Sequence, residues 1–68
     1  MNNKDNKIYA VARGKKPGIY SHWDGDNGAK EQVHKFPHCR FKGFFDYRLA
    51  RQYIRLHNEN IENIPIFD

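Results

Sequence analysis

The chain has little cysteine and no long apolar run. Cys39 is the single cysteine among 68 residues, so no internal disulfide can form, which excludes the disulfide-stapled class of small secreted domains. No stretch approaches the ~20 apolar residues of a transmembrane helix. The first seven residues are polar apart from Met1 and contain no apolar run, unlike those of a signal peptide. We therefore expect a cytoplasmic, intracellular protein with no membrane contact.

Acidic residues are also scarce. The chain has 8 of them against 12 lysines and arginines, a formal net charge of +4, while aromatic residues make up 15%. A basic excess attracts polyanionic partners at long range but does not specify a fold. A domain of this size buries only ~60% of the surface that its unfolded chain exposes. We expect one small domain with little room for an internal active site.

The sequence lacks a catalytic or metal-binding pattern. Few carboxylates are present to hold the divalent metals that assist hydrolysis, and no nucleophile–base pair or phosphate-cradling glycine loop is evident. Pro37 interrupts the helix that would place His34 and His38 on one face, and Cys39 has no paired C-x-x-C partner. We therefore expect no catalytic residue, no metal site and no cofactor.

A hairpin is predicted near the N-terminus. Residues 7–13 alternate in a period of two, which is typical of a strand. Pro17 and Gly18 then favour a tight turn, because proline presets φ at one corner and glycine accepts positive φ at the next. Residues 18–23 follow as the partner strand.

A short helix and a third strand are predicted next. The apolar spacing in residues 29–36 indicates one face of a helix, and Asp26 or Asn27 is placed to cap it. Pro37 disfavours helical geometry at the residue before it and ends the helix. Residues 39–45 are rich in rings and are predicted to form a strand.

A second helix is predicted from Asp46, its N-cap, to about Asn58. Its arginines lie on another face than its apolar stripe, which comprises Leu49, Ala50, Tyr53, Ile54 and His57. The predicted fold is therefore α+β in the order β-β-α-β-α, a three-stranded antiparallel sheet with two helices on one face. Residues 1–6 are expected to be a disordered leader, residues 7–58 the domain, and residues 59–68 a tail or the start of a linker.

Several short motifs follow one another over residues 7–54. They are Tyr9-Ala10-Val11, Gly14-Lys15-Lys16-Pro17-Gly18-Ile19-Tyr20, Trp23, Gln32-Val33, Phe36-Pro37 and Arg40-Phe41-Lys42. In this order and spacing they resemble the N-terminal hybrid-binding domain of type I ribonuclease H, a module that also occurs in caulimovirus viroplasmin.

The resemblance implies a module that binds RNA–DNA hybrid, and double-stranded RNA more weakly, without catalysis and without sequence preference. It would tether a separate ribonuclease H catalytic domain, a hydrolase, to its substrate. By motif position, Tyr9, Trp23 and Phe41 would contact deoxyriboses and Lys42 would contact a phosphate. Backbone groups of the loop between the first helix and the third strand would meet RNA 2′-hydroxyls; its residues include Lys35, Phe36, Pro37, His38 and Arg40.

Two departures from the family pattern bear on this interpretation. Gly43 stands where the family usually has a second lysine, which predicts one phosphate contact fewer and a weaker affinity. The segment between Trp23 and Gln32 is longer than usual, and Asp24 and Asp26 place negative charge beside the tryptophan.

Alternatives remain open at several positions. Trp23 is equally compatible with a core position, since tryptophan is highly buried on average. Phe44, on the other face of its strand from Phe41, is expected in the core. Lys15 and Lys16 are expected to be solvated turn residues. The alternative function is a protein–protein interaction module of viroplasmin type, whose basic face would meet an acidic protein surface; we expect a monomer in either case.

Overall fold

The computed structural model describes residues 7–67, which form a four-stranded sheet and two helices. The elements are β1 (Ile8–Arg13), β2 (Gly18–Tyr20), α1 (Ala29–Val33), β3 (Arg40–Phe44), α2 (Tyr47–His57) and β4 (Ile66–Phe67). The α+β class and the order of the first five elements are confirmed. The predicted leader, residues 1–6, lies outside the described residues.

The sheet has the strand order β3-β1-β2-β4. β1 is antiparallel to both of its neighbours, whereas β4 pairs with β2 in parallel. The prediction of a three-stranded, wholly antiparallel sheet was therefore wrong. Two residues are too few to show a period of two in the sequence, so β4 could not be detected from the pattern of the tail.

β4 is attached to the sheet by a ring stack as well as by its backbone. Phe67 packs on the buried Tyr20 with ring centroids 4.8 Å apart. Burial raises the pKa of Tyr20 to about 12. Its hydroxyl donates a hydrogen bond to the carbonyl of Lys16. A Cβ on Gly18 would lie 2.7 Å from a ring carbon of Phe67. Only glycine therefore allows β4 to approach this closely.

The inner strand β1 is buried on both of its faces. Ala10 and Ala12 belong to one cluster with α2, while Val11 belongs to another with α1. The helical members of these clusters are Ala50 and Ile54 from α2, and Ala29 and Val33 from α1. Because successive side chains of a strand point to opposite faces, the two helices cover opposite faces of the sheet. The expectation that both cover one face was wrong.

The second helix begins where the sequence predicts. The Asp46 side chain accepts a hydrogen bond from the Arg48 amide at 2.8 Å, which confirms the predicted N-cap. Ala50 and Ile54 are fully buried, but Leu49, which the apolar stripe also included, is 50% exposed. Phe44 packs against the same cluster, as expected. At the far end, the Asn58 side-chain amide donates to the carbonyl of Ala12 at 2.8 Å.

The first helix begins at Ala29, as predicted, but its cap and its C-terminal end differ from the prediction. Its N-cap is Gly28, which offers no side-chain acceptor, so neither Asp26 nor Asn27 caps it. The backbone N–H of Asn27 instead donates a hydrogen bond to the Glu31 carboxylate at 2.9 Å. A Cβ on Gly28 would lie 2.7 Å from two carbonyl oxygens, which explains why glycine occupies the cap. The helix also stops at Val33, short of the predicted residue 36.

None of the helices in residues 7–67 combines the length and the apolar character needed to cross a membrane.

We predict that Phe67→Ala lowers the free energy of unfolding by about 1–3 kcal/mol, because a half-buried ring is lost from its stack on Tyr20. Ile66→Ala is the matched control from the same strand; its side chain is 56% exposed, and its change should stay within about 0.5 kcal/mol. Urea denaturation followed by circular dichroism measures both. Equal stability of the two variants would show that the stack does not hold β4.

We predict that the cap of α2 makes stability depend on pH. The hydrogen bond from the Arg48 amide holds the pKa of Asp46 below its ordinary value. The stabilisation is therefore complete above the ordinary aspartate pKa of about 3.9 and is lost as the pH falls through the lowered, folded-state value. Asp46→Ala should be less stable than the wild type at pH 7, and this difference should shrink on acidification.

Asp46→Asn is the control for the cap, since asparagine caps helices without titrating. Its advantage over Asp46→Ala should persist at low pH in thermal unfolding experiments. A wild-type advantage that does not change between pH 7 and pH 2 would contradict the assignment.

Candidate nucleic-acid interface

Three aromatic side chains from separate segments form one surface cluster, here called the ring cluster: Tyr9, Trp23 and Phe41. The ring centroids of Tyr9 and Trp23 lie 5.4 Å apart, and those of Trp23 and Phe41 lie 5.3 Å apart. Phe41 is 39% exposed and the other two are half-buried. Such spacings are those of tilted, contacting aromatic pairs. The structure thus brings together the three rings that the sequence singles out.

The register of the sheet places two of these rings on one face. In the β1–β3 ladder, Tyr9 pairs with Gly43 and Val11 pairs with Phe41. Tyr9 and Val11 are two residues apart and share a face, so Phe41 shares it as well. The buried Val11 and Tyr20 lie within this side of the core, with Tyr9 and Trp23 packed against their cluster. We call this side of the sheet the ring face.

The loop after β2 holds Trp23 over the sheet. The backbone carbonyl of Trp23 accepts a hydrogen bond from the Lys30 amide at 3.0 Å. The His22 carbonyl accepts one from the Ala29 amide at 3.1 Å. Both donors belong to the first turn of α1, whose amides have no partner within the helix. The helix start therefore fixes the backbone on which the tryptophan stands. The sequence is compatible with Trp23 in the core or on the surface. In the structure its side chain packs against the core and remains half-exposed.

The longer segment that follows Trp23 turns back on itself. Gly25 has φ 91° and Asn27 has φ 64°, both in the left-handed region that glycine and asparagine adopt most readily. Asp24 and Asp26 are exposed within this turn. Both acidic residues follow Trp23, a member of the ring cluster, closely in the sequence.

Lys42 lies on the opposite face from the rings. It pairs with Ala10, and its Nζ atom is 5.6 Å from the centroid of the Phe44 ring. With Leu49 and Tyr53 it lines a groove between β3 and α2. Burial raises the pKa of the Tyr53 hydroxyl at this groove. The cation that the family motif assigns to phosphate is thus not brought into the ring cluster.

The predicted RNA-facing loop forms a compact turn between α1 and β3. Lys35 and His38 both have left-handed backbones, with φ 58° and 59°. The Phe36 amide donates to the Val33 carbonyl at 3.1 Å. The side chains of Phe36, Pro37 and His38 line a cleft of about 380 Å³ at the end of the sheet. Two left-handed residues change the direction of successive peptide groups, so the loop presents backbone polar groups in several orientations.

Arg40, the last residue assigned to this loop, begins β3 and pairs with Arg13. Arg13 donates from Nε to the carbonyl of His57 at 3.1 Å, at the C-terminal end of α2. Both arginines line a polar cleft of about 440 Å³ beside that helix end. The side chain of Arg40 is therefore separated from the ring cluster by the sheet.

One cation on the ring face was not singled out from the sequence. The side chain of Lys7 lies across Gly43, where a Cβ would overlap its Cε atom. Its Nζ atom is 5.9 Å from the centroid of the Tyr9 ring. A signal was available, since the predicted alternating strand already starts at Lys7, which lies two residues before Tyr9 and therefore shares its face.

Histidines and the cysteine do not gather into a metal centre within the part of the chain described. No group of three or more His, Cys, Asp or Glu residues with the geometry to hold a metal ion occurs in residues 7–67.

Comparison with known proteins gives two matches. The sequence profile of the ribonuclease H1 N-terminal domain matches residues 7–54. A ribonuclease H of Schizosaccharomyces pombe is 40% identical over 55 residues, which cover 81% of this chain and 20% of the yeast protein. The chain therefore spans about a fifth of the length of this relative. No solved structure matches.

Proposed function

The chain belongs to the ribonuclease H1 N-terminal domain family, and we propose that it is a non-catalytic module that binds RNA–DNA hybrid. The observation that carries the proposal is the ring cluster, in which Tyr9, Trp23 and Phe41 form one partly exposed surface. On this proposal the chain is an accessory domain of a ribonuclease H, and a separate catalytic domain cleaves the RNA.

The rings suit the sugar of the DNA strand. A deoxyribose presents carbon where a ribose presents a 2′-hydroxyl, so a flat aromatic side chain packed there buries apolar surface. A hydroxyl in the same place would be left without a hydrogen-bond partner, at a cost of ~1–3 kcal/mol. Phe41 has the largest exposed fraction of the three rings, so much of its surface is available to a ligand.

The loop of residues 34–39 suits the other strand. A ribose 2′-hydroxyl both donates and accepts, so backbone N–H and C=O groups can bind it. The left-handed residues Lys35 and His38 turn neighbouring peptide groups in different directions, which offers donors and acceptors on a small surface. We propose that the backbone around Phe36 and Pro37 contacts RNA, with Arg40 adding positive charge at the edge.

Binding of this kind is independent of sequence, because sugars and phosphates carry no base information. Lys42 lies on the face opposite the rings, but β3 is an outer strand. On this proposal its long side chain would reach a phosphate around the outer edge of β3. Double-stranded RNA would bind more weakly, since its second strand also carries 2′-hydroxyls. We propose that the module acts as a monomer inside the cell and raises the local concentration of substrate for the tethered nuclease.

A second candidate function is favoured by the groove beside α2. Leu49 and Leu56 are 50% and 74% exposed, and with Lys42 they border an apolar groove on the face away from the rings. An apolar groove edged by a cation is suited to a protein partner that carries acidic residues. A protein–protein interaction module is therefore the alternative.

We predict that hybrid binds more tightly than double-stranded RNA of the same sequence, and that double-stranded DNA binds weakest. Fluorescence anisotropy measures this order with three duplexes of the same sequence and length, each carrying the same fluorophore at the same end. Changing the sequence of the hybrid should leave its dissociation constant within about threefold. Equal binding, or none, to all three duplexes would reject the hybrid proposal and favour the protein-binding alternative.

We predict that Phe41→Ala weakens hybrid binding about tenfold or more, equivalent to ~1.4 kcal/mol, because the exposed part of the ring cluster is lost. Leu56→Ala is the matched control, since it removes a 74% exposed apolar side chain on the other side of the domain. Trp23→Ala should weaken binding as well, and its circular dichroism shows whether the fold is intact. Unchanged affinity in a folded Phe41→Ala variant would exclude the ring cluster as the DNA contact.

A further inference from the structure

We propose that Lys7 binds a phosphate of the DNA strand at the margin of the ring cluster, and that its side chain occupies the space above Gly43 where a longer residue would stand. This inference rests on the proposed function, of which it names one further contact. Lys7 carries no role in the site that the family motif indicates, and Gly43 stands where that motif usually has a second lysine.

The Lys7 side chain lies over Gly43. Gly43 pairs with Tyr9 across the ladder and has the same parity as Phe41, so the side chain that it lacks would project from the ring face. A Cβ built there overlaps Cε of Lys7 and lies 3.3 Å from Cδ and 3.1 Å from Nζ. The aliphatic part of Lys7 therefore fills the space that a larger residue at position 43 would take.

The ammonium group of Lys7 ends beside the aromatic surface. Nζ lies 5.9 Å from the ring centroid of Tyr9 and 6.0 Å from that of Phe45. At these distances the lysine ammonium group is attracted electrostatically to the faces of the rings. The rings and the glycine backbone thus restrain a side chain that is otherwise exposed. A restrained cation loses less conformational entropy when it binds than a freely rotating one.

The position of this cation matches the chemistry of a nucleic-acid strand. A sugar that packs on an aromatic ring has its own phosphates to either side, at the margin of that ring. Lys7 stands at that margin next to Tyr9, whereas Lys42 projects from the opposite face beside Phe44. On the ring face, then, Lys7 is placed to make the phosphate contact whose loss was expected from Gly43.

The test compares single substitutions in the 68-residue chain. Lys7→Ala should weaken hybrid binding several-fold at low salt and reduce the slope of log affinity against log salt by roughly 0.9, the value for one B-form phosphate contact. Arg55→Ala is the matched control, because it removes an exposed cation from α2 on the other side of the sheet. Its slope should stay closer to that of the wild type.

A second variant moves the cation to the neighbouring strand. Lys7→Ala combined with Gly43→Lys places an ammonium group on the same face from β3, and it should recover most of the salt slope that Lys7→Ala loses. Gly43→Lys alone displaces the native Lys7 side chain, so it should add less than a full contact. This order of salt slopes is expected only if the lysine side chains at positions 7 and 43 occupy the same place on the ring face.

The outcomes separate this inference from the function on which it rests. Normal hybrid binding by the wild type, with an unchanged salt slope in a folded Lys7→Ala variant, would overturn the role of Lys7 alone. Failure of the Lys7→Ala, Gly43→Lys double variant to regain the slope would overturn the shared location. Absence of hybrid binding by the wild type would overturn both proposals.

Discussion

The alternation of side chains along β1 is the constraint on which the rest of the structure depends. β1 lies inside the sheet, with β2 on one side and β3 on the other. Its even-numbered residues Ala10 and Ala12 are small and fully buried against α2. Its odd-numbered residues Tyr9 and Val11 point to the other face. One short strand thus separates a closed apolar layer from a surface that is only partly covered.

The open surface results from a mismatch in the sizes of the two helices. α2 has eleven residues and covers its face, while α1 has five and spans only about 7.5 Å at the helical rise. α1 covers Val11 but not the whole ring face. Tyr9, Trp23 and Phe41 cover the remainder by packing on one another. Tyr9 and Trp23 therefore pack against the core on one side, while the whole ring cluster forms the candidate binding surface on the other.

Much of this arrangement could be predicted from local patterns. The strand alternation, the Asp46 cap and the position of Phe44 in the core depend on near neighbours, and the structure confirms them. The side of the sheet that α1 covers could not be predicted, because β1 is apolar at both parities. β4 is two residues long and leaves no period, and the Gly28 cap depends on carbonyls that only the folded loop brings close.

The site was predictable to the same extent. The three rings came from family motifs, and the structure places them together. The faces of Lys42 and Lys7 follow from strand parity, but the closeness of Lys7 to Gly43 depends on the pairing of β1 with β3. β3 is also an outer strand, and such strands can pair with another molecule unless charge discourages it. Arg40 and Lys42, both exposed along β3, place repelling charges on that edge. The domain can thus display aromatic surface beside an open sheet edge while resisting edge-to-edge aggregation.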